Sequence, residues 1–177
     1  MNITLRRTTL LVCMLAGALA LSIALVAAKD VSAAPSPEIA GGATQISGLG
    51  SYDARCDPTS VEPDASYAIL MTGDYLEGCL YTFVETAESS PSGTYRETGT
   101  ELFVGSTSEG AGTFETTYRF EAKYEDVNDP ATEIFGRCQH PIVEGSGTGI
   151  FEGVSGILLF KDDIEEGNFP YRGHLRY

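Results

Sequence analysis

Near its C-terminus the chain reads Gly145-Ser146-Gly147-Thr148-Gly149-Ile150-Phe151-Glu152-Gly153-Val154-Ser155-Gly156, followed by the apolar run Ile157-Leu158-Leu159-Phe160. Glycine tolerates left-handed backbone angles and lets two backbone segments approach closely. The stretch therefore predicts a short strand, a tight corner and a second strand. It follows no β-α-β pattern and lacks the Lys and Ser/Thr of a phosphate-binding loop, which excludes that kind of nucleotide site.

Upstream, residues 112–124 show the strongest alternation in the chain. One face carries Phe114, Thr116, Tyr118, Phe120, Ala122 and Tyr124, and the other carries Glu115, Thr117, Arg119, Glu121 and Lys123. Successive side chains of a strand point to opposite faces, so this period of two predicts a half-buried antiparallel strand. We expect the aromatic face to point into the core and the charged face to point to water.

Other runs rich in β-branched and aromatic residues predict further strands. They cover residues 67–71, 79–84, 93–104, 131–138, 147–151, 157–161 and 169–177. Seven or eight sequential strands with short connections favour a meander, and closing the meander into a barrel removes its exposed edges. The sequence therefore predicts an all-β fold, a single antiparallel meander β-barrel of about eight strands.

Two stretches carry a family resemblance. The pattern Gly-Thr-Gly-x-Phe-x-Gly-x-x-Gly at 147–156 and the ending Gly167-Asn168-Phe169-Pro170-Tyr171-Arg172-Gly173-His174-Leu175 resemble the barrels of allene oxide cyclases, dirigent proteins and their bacterial secreted relatives. The resemblance extends over about residues 67–177. The cyclases imply an apolar cavity whose few polar groups guide ring closure of an unstable epoxide, and dirigent proteins imply capture of phenoxy radicals. The motif concerns backbone geometry, so it predicts architecture and assigns no catalytic residue.

The first 33 residues predict an export signal. Arg6 and Arg7 precede an apolar run from Leu10 to Ala28, and small residues then offer cleavage near Ala34. The run is also long enough to span a bilayer, so an uncleaved N-terminal anchor is the alternative. In either case the remainder faces the outside. We expect a flexible leader and extended arm over 34–64 and the barrel domain over 65–177.

Charge narrows the range of partners. The formal net charge is −14, and removing the signal makes it more negative because that segment is basic overall. Such a chain repels phosphate backbones and anionic lipid head groups. We therefore expect no nucleic-acid partner, and membrane contact only through an uncleaved N-terminal segment.

Three cysteines remain after removal of the signal, and an exported chain favours disulfides. In a simple meander the start of the second strand and the end of the fifth reach the same barrel rim. This predicts a Cys79–Cys138 bond, although Cys56 on the arm could compete. His140 follows Cys138 by two residues, so both lie on one face of a strand, but such a face points to solvent as often as to a pocket. A structural bond is therefore favoured over a nucleophilic role for Cys138.

No cofactor or metal is predicted. The two histidines, His140 and His174, exclude a multi-histidine site. The Asp126-Val127-Asn128-Asp129-Pro130 segment lacks the spacing of a calcium loop and favours a β-turn. The acidic residues at 162–166 favour a solvated hairpin loop, with weak surface calcium binding as the alternative.

Candidates for a ligand pocket come from the predicted strand faces. They are Tyr118, Phe120, Tyr171 and His174. His174 belongs to a basic stripe with Arg172 and Arg176, which could lie on the outer face of the last strand or form an anion-guiding wall. No catalytic residue is assigned.

Three functions are compatible with these observations. The leading hypothesis is a secreted, non-catalytic barrel that binds a small apolar ligand or an extracellular partner. The alternative is a cofactor-free cyclase or isomerase in which Tyr, Glu and His side chains orient the substrate. A third is a surface-anchored adhesion or envelope-structural protein. The enzyme requires polar groups that converge in a cavity, whereas the structural role favours a barrel filled with aromatic side chains.

Overall fold

The computed structural model describes residues 42–177. The predicted export signal, its cleavage near Ala34 and the first part of the leader lie outside the described residues. Within residues 42–177, no helix has the length and apolar character needed to cross a membrane.

Nine strands make up this part of the chain. They are β1 (Thr44–Ser51), β2 (Tyr67–Gly73), β3 (Glu77–Ser89), β4 (Thr94–Thr107), β5 (Gly110–Tyr124), β6 (Glu133–Pro141), β7 (Thr148–Gly149), β8 (Ser155–Lys161) and β9 (Phe169–Arg176). Two short 3-10 helices, Pro58–Ser60 and Pro130–Thr132, lie in the connections after β1 and β5.

The strands form one closed antiparallel meander barrel. Each of β1 to β5 pairs with the next strand, β6 pairs with β8, β8 with β9, and β9 with β1. These eight strands leave no open edge, and the two-residue β7 is an extra strand against β5. The all-β fold and the eight-stranded meander barrel predicted from the sequence are confirmed.

The barrel begins earlier than the sequence indicated. Strand β1 lies in the segment assigned to an extended arm, yet it pairs on one side with β2 and on the other with β9. Glycines at 48 and 50 interrupt its apolar pattern and so weaken its strand signal. At Gly48 the chain needs glycine, because a Cβ there would lie 2.5 Å from the Tyr171 hydroxyl.

One end of the barrel is densely packed with aromatic rings. Phe103 and Phe114 stack with centroids 4.8 Å apart, and Phe151 meets them edge-on at 5.6 and 5.2 Å. Phe151 comes from the glycine-rich run, which bends through left-handed backbone at Gly149 and Gly153. That run therefore supplies side chains that fill this end of the barrel.

The faces of β5 agree with the alternation in its sequence. Phe114 and Tyr118 are buried, while Glu115 and Arg119 are exposed. Glu121 also lies on the outer face, where Arg96 and Arg137 on the neighbouring strands form ion pairs with it at 3.0 and 2.9 Å. The predicted inward set and outward set are both confirmed.

The disulfide pairing predicted from the sequence is wrong. The bond joins Cys56 to Cys79, with the Cα atoms 5.5 Å apart, and Cys138 is a free thiol. Cys79 precedes the inward-facing Leu80 and therefore points outward, whereas Cys138 lines the interior. The two side chains lie on opposite faces of the barrel wall, so they cannot form a bond with each other.

The bond fastens the β1–β2 loop over the outer face of the barrel. A small second core lies beneath that loop, formed by Cys56, Ala65, Ala68, Leu70 and Tyr81. A disulfide of this kind is typical of proteins that work in an oxidising, extracellular-type environment.

Candidate functional site

The half of the barrel away from the phenylalanine cluster holds a cavity of about 380 Å³. Its walls are largely aromatic: Tyr52, Tyr67, Phe120, Tyr124, Phe160 and Phe169. Four carboxyl groups also line it, those of Glu97, Glu101, Glu133 and Asp162. The barrel is thus neither filled throughout nor hollow throughout, and it forms a cup with an acidic, aromatic lining.

Strand register arranges one wall of the cup in three tiers. The inner face of β6 presents Gly136, Cys138 and His140 in succession. Cys138 lies opposite Phe120 on β5 and Phe160 on β8. The middle tier is therefore a thiol between two aromatic rings, and the tiers on either side of it carry the polar groups.

Glu101 on β4 is the centre of a buried hydrogen-bond network. It lies directly opposite Thr82 on β3 and Thr116 on β5. The Thr82 and Thr116 hydroxyls donate to its two carboxyl oxygens at 3.2 and 2.6 Å. The register alone thus gives this carboxylate a donor on each side, which compensates for its burial.

His140 completes this network from β6. Its Nδ1 lies 2.5 Å from Glu101 Oε2, and an ionised carboxylate can only accept hydrogen bonds, which assigns the ring proton to Nδ1. With that proton on Nδ1, the neutral form of the ring has an acceptor lone pair at Nε2. His140 is 4% exposed, lines the cavity, and its Nε2 has no hydrogen-bond partner among the described residues.

Packing fixes the orientation of the His140 ring. Phe160 lies 4.6 Å away between centroids, and Tyr118 stacks on it at 6.1 Å with an interplanar angle of 22°. A carboxylate that holds an imidazole by Nδ1 and leaves Nε2 free is the arrangement of a general base in many enzymes. Here His140 lines the cup, and its Nε2 is buried without a partner among the described residues.

Glu97, also on β4, binds three tyrosine hydroxyls. Tyr67 and Tyr118 donate to its Oε1 at 3.0 and 2.8 Å, and Tyr95 donates to its Oε2 at 2.5 Å. Burial, followed by the hydrogen bond and charge of Glu97, raises the pKa of Tyr118 well above its ordinary value. The phenol therefore stays protonated and serves as a donor at physiological pH.

A second acidic pair, Glu133 and Asp162, lies in the tier above Cys138. Gly136 leaves room for it, because a Cβ at that position would lie 2.6 Å from Glu133 Oε1. Burial and the adjacent Asp162 carboxyl raise the pKa of Glu133 to about 7, and burial likewise raises the pKa of Asp162. Among the described residues, neither carboxyl forms an ion pair.

This pair predicts a pH-dependent stability. Since the pKa of Glu133 is raised on folding, the folded protein holds that proton more tightly than the unfolded chain does. The resulting stabilisation is complete below the ordinary Glu pKa of 4.5 and is lost as the pH rises through about 7. Between pH 5 and 8, Glu133 is expected to lower the free energy of unfolding of the unaltered protein by roughly 1 kcal/mol, after allowance for solvent screening. We expect the Glu133→Gln variant not to show this decrease.

Urea unfolding at pH 5, 6, 7 and 8 measures this effect. Glu165→Gln is the matched control, because it removes one acidic charge from an exposed loop. The prediction fails if the two variants have parallel pH profiles.

Of the four predicted pocket residues, one lines the cup, two are buried in the core and one lies on the outer face. Phe120 lines the cavity. Tyr118 and Tyr171 are buried in the barrel but do not border the cavity, since Tyr118 is bound to Glu97 and Tyr171 packs on Phe160. His174 alternates with the buried Tyr171 and Leu175 and so lies on the outer face of β9.

Sequence reasoning missed the polar groups of the cup. Glu97, Glu101 and Phe103 share one face of β4, and Cys138 and His140 share one face of β6. The period of two within each strand could have placed Glu97 and Glu101 on the inner side with Phe103. Nothing local indicated that Glu101 meets His140, because they lie on strands that do not pair.

Similarity to known proteins assigns neither a family nor a function to this chain. No family model, curated protein or solved structure matches this chain. Within residues 42–177, no group of three His, Cys, Asp or Glu side chains is arranged to hold a metal ion. The features of this protein that point to a function are therefore the geometry and chemistry of the cup.

Proposed function

We propose that this protein is an exported binding protein that holds a small, largely apolar ligand in the barrel cup. The observation that carries the proposal is the aromatic cavity of about 380 Å³ above a fully packed phenylalanine cluster. Ligand sites of proteins typically occupy roughly 300–1,000 Å³, with mostly apolar walls and a few polar groups that fix orientation. The cup has this composition.

Export and family form part of the same proposal. The Cys56–Cys79 bond and the signal-like N-terminal sequence support an extracellular location. The eight-stranded meander, with its glycine-rich run before the last hairpin, supports a relationship to the allene oxide cyclase and dirigent-like barrels. A binding role requires neither the cyclase nor the dirigent reaction.

Binding of an uncharged fluorescent aromatic probe, N-phenyl-1-naphthylamine, tests the proposal. Cys138→Phe places a ring between Phe120 and Phe160 and is expected to weaken probe binding at least tenfold. Gln139→Phe, the next residue on the exposed outer face of β6, is the control and is expected to bind normally. If Cys138→Phe does not fold, Ile69→Phe narrows the cup from β2.

Two results would contradict a ligand-binding role. One is the absence of probe binding to the unaltered protein, which would favour an extracellular macromolecular partner instead. The other is equal binding by the folded Cys138→Phe and Gln139→Phe variants, because the probe would then occupy another surface.

A cofactor-free isomerase is the second candidate function. It is favoured by His140, which lines the cup with its Nε2 unpartnered among the described residues while Glu101 holds Nδ1. In that role Nε2 would accept a proton from bound substrate and return it to a neighbouring atom. Mass and NMR analysis of a bound compound distinguishes the two functions, since a binding protein returns it unchanged and an isomerase returns its isomer.

A further inference from the structure

In their deprotonated forms, the polar groups of the cup that lack partners are hydrogen-bond acceptors. In the part of the chain that the structure describes, these atoms are Glu133 Oε1 and His140 Nε2. The other two lining carboxylates, Glu97 and Glu101, already accept hydrogen bonds from tyrosine, threonine and histidine side chains. A complementary ligand must therefore bring donors to two separate places.

The charge of the lining specifies one of these donors. Within residues 42–177, four carboxyl groups and no Lys or Arg side chain line the cavity. The nearest arginine on β6, Arg137, points to the outer face and pairs with Glu121 there. A cation near Glu133 and Asp162 would gain two carboxylates and the aromatic walls, which also attract cations through their π faces.

The middle tier specifies the body of the ligand. Phe120 and Phe160 lie on the strands on either side of Cys138, so a flat apolar group can lie over the thiol with a ring on each side. Aromatic pairs in offset or edge-on arrangements add about 0.5–1.5 kcal/mol beyond the burial of apolar area. An aromatic ring fits this tier better than a flexible chain does.

The separation of the tiers specifies the length. Gly136 and His140 are four residues apart on one strand, which is about 13 Å at roughly 3.3 Å per residue. A para-hydroxyphenyl-ethylammonium ion, with a hydrogen bond of about 2.8 Å at each end, spans about 14 Å between acceptors. A ligand of this length can therefore extend from the tier of Gly136 to the tier of His140.

We propose that the ligand is an aromatic amine with a second donor at the far end of its ring. The ammonium group lies between Glu133 and Asp162, the ring lies between Phe120 and Phe160, and a phenolic hydroxyl or ring N–H donates to His140 Nε2. This inference rests on the proposed binding function and assigns the class of ligand to the same cup.

Three small phenethyl compounds separate the contacts. Tyramine carries both donors, tyrosol replaces the ammonium with a hydroxyl, and phenethylamine lacks the phenol. Calorimetric titration at pH 8 is expected to give at least tenfold weaker binding for tyrosol and about threefold to tenfold weaker binding for phenethylamine. The anionic 4-hydroxyphenylpropionate is expected not to bind.

Variants locate the ammonium group. Glu133→Gln with Asp162→Asn is expected to weaken tyramine binding at least tenfold and thereby to remove the preference for tyramine over tyrosol. Glu165→Gln with Glu166→Gln removes the same charge from an exposed loop and is expected to retain the preference. The ligand comparison on the unaltered protein needs no variant, so it decides the question even if the cup variant does not fold.

The outcomes separate this inference from the binding function itself. If the naphthylamine probe binds the cup but tyramine and tyrosol bind equally, the amine assignment is wrong and the binding function stands. If neither the probe nor any phenethyl compound binds, both are wrong. If the Glu165→Gln and Glu166→Gln loop control also abolishes the preference for tyramine, the preference comes from overall charge and the assignment is wrong. Tight Ca²⁺ binding by Glu133 and Asp162 would also overturn the assignment.

Discussion

Phe114→Ala is expected to lower the free energy of unfolding by about 4 kcal/mol. Phe114 is fully buried and contacts Phe103 and Phe151, with ring centroids 4.8 and 5.2 Å away. Removing its ring eliminates buried apolar area and leaves a void that its rigid aromatic neighbours cannot fill. Urea unfolding at constant pH, with the slope compared between variants, measures the loss.

Phe120→Ala is the matched control on the same face of the same strand. In a fully packed site this substitution would lower the free energy of unfolding by about 3–5 kcal/mol. Because Phe120 already borders the cavity and is only partly buried, fewer contacts are lost, and we expect about 1–2 kcal/mol. Glu121→Ala, on the outer face, is expected to leave the stability close to that of the unaltered protein.

Equal large losses at Phe114 and Phe120 would mean that the barrel is filled along its whole length. That result would remove the basis for a ligand cup and favour a structural role. A costly Glu121→Ala would instead mean that the faces of β5 are reversed.

Breaking the Cys56–Cys79 bond is expected to lower the free energy of unfolding by about 3 kcal/mol. The two cysteines are 23 residues apart, so the bond restricts a loop of moderate length in the unfolded chain. It also fastens the β1–β2 loop over Ala68, Leu70 and Tyr81. Urea unfolding with and without reductant measures the difference.

Cys138→Ala controls for effects of reductant on the free thiol. This variant keeps the disulfide, so its loss of stability on reduction is expected to match that of the unaltered protein. The double variant Cys56→Ala with Cys79→Ala lacks the disulfide, and reductant is expected to cause no further loss of its stability. Non-reducing peptide mapping that links Cys138 to either other cysteine would contradict the pairing.

Information local to each strand was enough to predict most of the barrel. In β5 the period of two predicted which residues face inward, because burial of alternate side chains depends only on strand geometry. The glycine-rich run predicted a tight corner for the same reason, since backbone freedom is a property of the residues themselves. Strand β1 was missed because glycines occupy the inner positions where apolar residues would have marked a strand.

The cup and the disulfide depend on contacts between distant residues. His140 reaches Glu101, 39 positions away, and Glu133 lies near Asp162 across the β6–β8 pair. Such meetings follow from strand register and barrel closure, neither of which the alternation within a single strand specifies. The same reason explains why the predicted disulfide is wrong. Spacing along the chain predicted that Cys79 and Cys138 meet at one rim. In the folded barrel, Cys79 points outward to Cys56, whereas Cys138 points into the cup.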